Sequence, residues 1–264
     1  MAPRSPDALT GSQFAERVRD LSAPDRQRAI LAELERGNLP DFLRTAVPLA
    51  LQVPGPDGSA LDATVFVLPD YLAIGSDADF VYVPLAYVPA ATIARELGFV
   101  LPTPKLVDAI YAQSRHHLAP EPLPACPKMR SIPYLMEHQR LIDAQRRGLP
   151  LGELISGHKK DLVLSERLIE QPGRVAIYGW HRGIGDPIQP LSTVHGENYA
   201  DYSHAVRLVG ETVLIGGRER SIYEVLDDPA LAPALNYEGV LPDARRLMGL
   251  GPMVARHTYS VVGP

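Results

Sequence analysis

The order of helix-like and strand-like segments constrains the fold of this chain more than any other feature. Apolar residues follow a helical period in the first fifty residues, a strand period from Pro48, a helical period from about Ala90 and a strand period in the last third. Parallel α/β sheets need strands and helices that alternate one by one, and that alternation is missing here. The sequence therefore predicts an α+β fold: a helical N-terminal region, followed by mixed or antiparallel sheets with packed helices.

Local signals place several of these elements. Ser22 and the Thr103-Pro104 pair are suited to begin helices, and residues 131–147 have the apolar spacing of another helix. Strand-like runs are PLALQV, LDATVFVL, YLAIGS and FVYVPLA, which we expect to be antiparallel neighbours, and later KDLVLS, RVAIYGWH, SHAVRLV and ETVLIGG. These patterns divide the chain into a helical region (1–47), an α/β subdomain (48–148) and a strand-rich subdomain (149–264), or combine them in one continuous domain.

Composition excludes some classes of function. Hydrophobic residues make up 45% and charged residues 22% of the 264 residues, which is typical of a globular protein. The formal net charge of −5 provides no basic surface for nucleic acid. No apolar run approaches the roughly 18 residues of a membrane span, and the first twenty residues lack the apolar core of a secretory signal. We therefore expect a cytoplasmic protein, unless a signal peptide has been removed.

Motifs for common cofactors are missing from the sequence. Neither the dinucleotide fingerprint G-x-G-x-x-G nor the P-loop motif occurs. Cys126 stands between two prolines in LPACPK, where a loop thiol is expected rather than a nucleophile. Catalysis by this chain would therefore depend on other residue types.

Histidines and charged residues are concentrated between Ser156 and Val209. Histidine has the side-chain pKa closest to neutrality, so several on adjoining strands favour proton transfer or metal binding. The alternative is that each one merely satisfies a turn or a sheet edge. The concentrated residues are His158, His181, His195 and His204 with Lys159, Lys160, Asp161, Asp201 and Arg207.

Strand alternation tests Ser203 as a nucleophile. In YSHAVRLV, Ser203 and His204 would point to opposite faces of a regular strand, so His204 could not serve Ser203 as a base. A Ser203 nucleophile would need His181 or His195 from a neighbouring segment. The G-x-S-x-G motif of serine hydrolases is also missing.

A metal site is one hypothesis for the same region. His195, Asp201 and His204, spaced H-x5-D-x2-H, offer three ligands of the kinds that a catalytic zinc uses. In a regular strand Asp201 and His204 would face opposite sides, so this hypothesis requires a bend near residues 199–202. The predicted cofactor, if any, is a divalent metal such as zinc.

A metal-free hypothesis uses the same residue types for proton transfer. His181 or His204 would be the base, and Asp161 or Asp201 would orient it. Lys160 or Arg207 would stabilise a developing anion. An apolar or sugar-stacking wall could come from Trp180 and Tyr178, although a core position suits Tyr178 equally well.

Several segments together resemble a family of uncharacterised bacterial proteins. They are GHKKDLVLS, RVAIYGWH, PIQPLSTVH and YADYSHAVRLV, with LPDYLAIGSD and LPTPKLVDAIY upstream. The resemblance covers most of the chain and implies no activity.

Two shorter segments resemble characterised families. SHAVRL is similar to the S-H-G-C-x-R segment of L,D-transpeptidases, but the nucleophilic cysteine is missing. HGENYADYSH is similar to a strand of lysostaphin-like zinc endopeptidases, but their H-x-H pair has no counterpart. These resemblances favour amide or cell-wall-like bonds as the substrate.

The sequence thus favours a hydrolase that acts on a small-molecule, peptide or glycan substrate. The alternatives are a non-catalytic protein that binds a small anionic or sugar ligand, with Trp180 as the stacking platform, and a lyase that uses histidine with Tyr199 or Tyr202. The candidate catalytic residues are His181, His195, His204, Asp161, Asp201, Lys160 and Arg207, and the candidate substrate-binding residues are Trp180, Tyr199, Tyr202 and Ser203.

Overall fold

The fold was analysed in a computed structural model, which describes residues 2–55 and 58–251. Residues 56–57 of the predicted PGPDGS turn and the end of the predicted third region, 252–264, lie outside this part of the chain. The α-helices are α1 Gly11–Arg17, α2 Ala23–Glu35, α3 Tyr87–Glu96, α4 Pro104–Gln113, α5 Ile132–Arg146, α6 Arg167–Glu170, α7 Ile222–Asp227, α8 Ala232–Leu235 and α9 Ala244–Leu247; short 3-10 helices span Asp41–Arg44 and Pro127–Arg130.

In the described residues the strands form two larger sheets and two small ones, and the predicted α+β fold is confirmed. The strands are β1 Val47–Pro54, β2 Ala60–Val67, β3 Ala73–Ser76, β4 Asp79–Tyr82, β5 Phe99–Val100, β6 His116–His117, β7 Ile155–Ser156, β8 Lys160–Leu162, β9 Ile177–Gly183, β10 Asp186–Ser192, β11 His204–Ala205, β12 Val209–Ile215 and β13 Arg218–Ser221. The first sheet is antiparallel, in the order β1-β2-β12-β13, with β5 paired to β12. The second is mixed, in the order β10-β9-β8-β11.

Helix starts follow the local signals in the sequence. The Ser22 hydroxyl accepts a hydrogen bond from the backbone of Asp25 at the start of α2, and Thr103 caps α4 in the same way through Leu106. Both helices have proline in their first turn, where the missing N–H has no helical partner to lose. No helix in residues 2–55 and 58–251 is long and apolar enough to cross a membrane.

Strand pairing differs from the sequence prediction in two places. The four strands expected to be neighbours form two separate pairs, because β2 continues its sheet through β12 while β3 and β4 make their own hairpin. Only two residues of the predicted strand SHAVRLV form β11. A turn precedes them, and Val209 already belongs to β12. The β2–β12 pairing also joins chain segments from either side of residue 148 into one sheet.

A buried ionic network connects α5 to the β3–β4 hairpin. Asp70 accepts hydrogen bonds from Arg146 and, at 2.7 Å, from the hydroxyl of Tyr82. His158 Nε2 lies 3.3 Å from the other carboxylate oxygen without hydrogen-bond geometry. Burial acts to raise the pKa of Asp70, but Arg146 and His158 outweigh it and hold that pKa below its usual range. The ionised carboxylate therefore depends on Arg146.

Replacement of Arg146 tests this dependence. Arg146→Met leaves the buried Asp70 without its cation, so we expect the free energy of unfolding to fall by about 3–5 kcal/mol in urea denaturation. The control is Arg147→Met, which changes the exposed neighbour and should stay within about 0.5 kcal/mol of wild type. Equal effects of the two substitutions would contradict the structural role of the network.

Candidate functional site

Strand β8 carries adjacent charged residues into the interior. Lys160 pairs in register with His204 of β11, and Asp161 pairs with Ala205. Because neighbouring side chains of a strand point to opposite faces, Lys160 and Asp161 lie on opposite sides of the second sheet. The predicted site residues are divided between these two sides.

The first side holds most of the predicted residues. The Lys160 ammonium lies 4.9 Å from the ring centroid of Trp180, and His195 stacks on Tyr199 with ring centroids 3.9 Å apart. The His195 and His204 centroids are 6.2 Å apart. We call this group the His204 cluster; it comprises Lys160, Trp180, His195, Tyr199, Asp201 and His204.

A tight turn brings Asp201 and His204 together. The His204 amide donates to the Asp201 carbonyl at 3.1 Å, which is the bend that the sequence analysis required. Within the turn, the amide and hydroxyl of Ser203 donate to Asp201 Oδ1 at 2.8 and 2.6 Å, while the hydroxyl of Tyr199 donates to Oδ2 at 3.0 Å. Ser203 is buried and its hydroxyl is bound to Asp201, so it supports the carboxylate rather than contacting substrate.

The charge of Asp201 is stabilised by its surroundings. Burial acts to raise the pKa of this carboxyl group, but His204, the hydrogen bonds from Ser203 and the charge of Lys160 outweigh burial. The pKa of Asp201 is therefore lowered below its usual value. At neutral pH the cluster contains a fixed anion beside the imidazole of His204.

His204 is neutral and enclosed. Burial lowers its pKa to about 4, with the charge of Lys160 acting in the same direction and Asp201 opposing it. Neither ring nitrogen has a hydrogen-bond partner in the described part of the chain, and the same holds for Nε1 of Trp180. Buried polar atoms are normally paired, so unpaired ones in the same cluster are typical of a site that receives water or a ligand.

A backbone irregularity in β9 orients Trp180. This residue has φ +59°, an uncommon conformation for a non-glycine residue, and it follows Gly179 at φ +106°. Its amide donates to the Lys159 carbonyl at 3.1 Å. Such strain costs about 1–3 kcal/mol and tends to occur at functional sites. The indole is only 4% exposed, so it presents no open face for a stacked sugar.

The second side of the sheet contains Asp161 and Arg207. Asp161 accepts a hydrogen bond from Tyr71 at 2.9 Å, and the guanidinium of Arg207 lies 4.2 Å from the centre of the Tyr71 ring. Burial raises the pKa of Asp161 to about 6, against the opposing effects of Arg207 and Tyr71. Arg207 is fully buried and donates to the carbonyls of Leu68 and Ile155. These two predicted residues therefore belong to the core rather than to the His204 cluster.

His181 has its own set of partners. Its Nε2 lies 2.8 Å from Asp108 Oδ1, and its ring stacks on Tyr111 with centroids 4.7 Å apart. Asp108 also accepts hydrogen bonds from Tyr178 and Tyr237. The structure therefore brings His195 and His204 together but separates His181 from them. A regular β9 would place His181 on the same face as Gly179, the partner of Lys160, and the irregular backbone at 179–180 breaks this alternation.

Lys159 and His138 are partners that the sequence analysis missed. The Lys159 ammonium donates to the Tyr202 carbonyl at 2.6 Å and lies 3.1 Å from Nδ1 of His138. Burial lowers the pKa of Lys159 to about 7 and that of His138 to about 2. The available signal was the spacing of His138, which places it on the apolar face of α5 with Leu135 and Ile142.

Tyr202 lies beside this pair with its hydroxyl already bonded. The amide of Leu123 donates to that hydroxyl at 2.8 Å, and the hydroxyl donates to the Leu123 carbonyl at 3.2 Å. Tyr202 therefore supports the loop at Leu123 rather than the His204 cluster.

The residues proposed as zinc ligands, His195, Asp201 and His204, are not arranged as a metal site. Both carboxylate oxygens of Asp201 already accept hydrogen bonds from Ser203 and Tyr199. Within residues 2–55 and 58–251, no group of three or more histidine, cysteine, aspartate and glutamate side chains is arranged to hold an ion. The arrangement of His195, Asp201 and His204 is suited to proton transfer.

Comparison with known protein families, curated proteins and solved structures found no match.

Removal of the Ser203 hydroxyl tests the support of Asp201. Ser203→Ala deletes a buried hydrogen bond to a carboxylate, so we expect the free energy of unfolding to fall by about 1–3 kcal/mol. Ser5→Ala, at an exposed position, should change it by less than about 0.5 kcal/mol. A Ser203→Ala protein as stable as wild type would contradict this role.

Proposed function

We propose that the protein is a hydrolase that cleaves amide bonds and uses His204 as its general base. The observation that carries this proposal is an enclosed, neutral imidazole with two unpaired nitrogens, on which the charges of Asp201 and Lys160 act in opposite directions. Acyl transfer to water needs a base for the water and a donor for the oxyanion, and the cluster contains both.

His204 is suited to both halves of the proton transfer, first as base and then as acid. His204 takes a proton from water while the water oxygen adds to the amide carbonyl. When the C–N bond breaks, the protonated His204 gives this proton to the leaving nitrogen and returns to its neutral form. His195 is partly exposed beside Tyr199, at the edge of the cluster. Asp201 favours the protonated form of His204 that arises in the first step, and its attraction is among the largest influences on that imidazole.

Lys160 and Trp180 supply the donors for the oxyanion. The ammonium of Lys160 is partly buried, which strengthens its interaction with a developing negative charge. Nε1 of Trp180 is an N–H donor without a partner in the described residues. Because the indole is covered by Lys160 and the Tyr199 hydroxyl is bonded to Asp201, sugar stacking and a tyrosine-based lyase have less support than hydrolysis.

Replacement of His204 tests the proposal on a panel of peptide p-nitroanilides and short peptides. We expect His204→Ala to fold and to lose turnover by about 10²-fold or more, the usual scale for a general base. His117→Ala changes an exposed histidine outside the cluster and should keep wild-type turnover. A chelator should leave the wild-type rate unchanged.

Three results would contradict the proposal. A folded and fully active His204→Ala protein would show that His204 is not the general base. Loss of activity on chelation, restored by metal, would replace proton transfer by metal catalysis. Failure to hydrolyse any amide of the panel would exclude the substrate class.

A further inference from the structure

A cavity next to the His204 cluster has a positively charged lining. Its volume is about 290 Å³, and it lies between the N-terminal half of α2, the start of α3 and Arg130. Leu31, Ala86 and Pro89 give it an apolar wall, while Arg28 and Arg130 bring guanidinium groups. No described residue that lines it is acidic. We call this space the arginine cavity.

The arginine cavity adjoins the cluster on the side of Asp201 and Tyr199. A smaller pocket shares Gln27 and Arg130 with the cavity and extends to Arg26 and Asp201. The guanidinium of Arg130 lies 5.2 Å from the ring centre of Tyr199, the residue that also bonds to Asp201 and stacks on His195. A molecule in the cavity would therefore lie near Tyr199 and Asp201 of the cluster.

Two guanidinium groups at this place lack an acidic partner. Arg26 is 8% exposed and donates to the carbonyl of Arg130 at 2.6 Å. Arg130 donates to the carbonyl of Asn198 at 3.2 Å. In residues 2–55 and 58–251 neither forms an ion pair, whereas Arg28 is paired with Asp25.

These neighbouring positive charges disfavour each other. Burial, together with the charge of Arg130, lowers the pKa of Arg26. Guanidinium groups bind carboxylates through paired, charge-assisted hydrogen bonds, and an incoming carboxylate would relieve the repulsion at the same time. The apolar wall would contact a small hydrophobic side chain next to that carboxylate.

We infer that the arginine cavity binds the free carboxylate of the substrate, which makes the substrate class a short peptide-like amide with a terminal carboxylate and a small apolar side chain. The assignment of the cavity as a substrate site rests on the proposed hydrolase function. Arg130 is the specificity residue at the surface of the cavity, and Arg26 is the buried charge behind it.

Binding of a matched pair of probes to the full chain tests the inference. The probes are N-acetyl-L-leucine and its neutral analogue N-acetyl-L-leucinamide, measured by titration calorimetry at low salt. We expect saturable binding of the carboxylate and at least about tenfold weaker binding of the amide, a difference of about 1.4 kcal/mol. Arg130→Gln should reduce carboxylate binding by about tenfold, and Arg147→Gln, at an exposed position outside the cavity, should not change it.

The outcomes separate this inference from the hydrolase proposal. No saturable binding, equal affinities for the two probes, or full binding by Arg130→Gln would overturn the carboxylate site. His204→Ala should lose turnover while it binds N-acetyl-L-leucine like wild type. Normal binding without His204-dependent hydrolysis would overturn the proposed function alone, and His204-dependent hydrolysis without carboxylate preference would overturn this inference alone.

Discussion

The burial of Lys159 and Asp161, with the partly buried Lys160 between them, is the constraint on which the rest of the structure depends. A charge taken out of water costs several kcal/mol unless partners replace its hydration. Each of the three has such partners: Lys159 has a backbone carbonyl and His138, Lys160 has the indole ring of Trp180, and Asp161 has a tyrosine hydroxyl. Elements distant in the sequence must therefore meet around β8.

This arrangement explains why polar chemistry lies on two sides of one small sheet. Alternation along β8 sends Asp161 towards Arg207, in a region fully enclosed by the core. Lys160 points instead to the His204 cluster, where Tyr199 and His195 are partly exposed and the arginine cavity adjoins. The first group is suited to stabilising the fold, and the second to binding and proton transfer.

Features that depend on residues close together in the sequence could be predicted from it. The caps Ser22 and Thr103 act as expected, and the bend that brings Asp201 to His204 is present. The separation of His181 from His204 could not be predicted, because it follows from the irregular backbone at residues 179–180. Strand order and the partners of buried charges depend on pairings between distant segments, which local periodicity does not encode.

The protonation state of His204 tests the central claim most directly. In a ¹⁵N NMR titration of the imidazole signals, assigned with a His204→Gln variant, the account predicts a neutral ring that takes up a proton only near pH 4, because burial and Lys160 disfavour the cation. A midpoint close to 6.5, the ordinary value for histidine, would show that the ring is solvated and would contradict the account of an enclosed base.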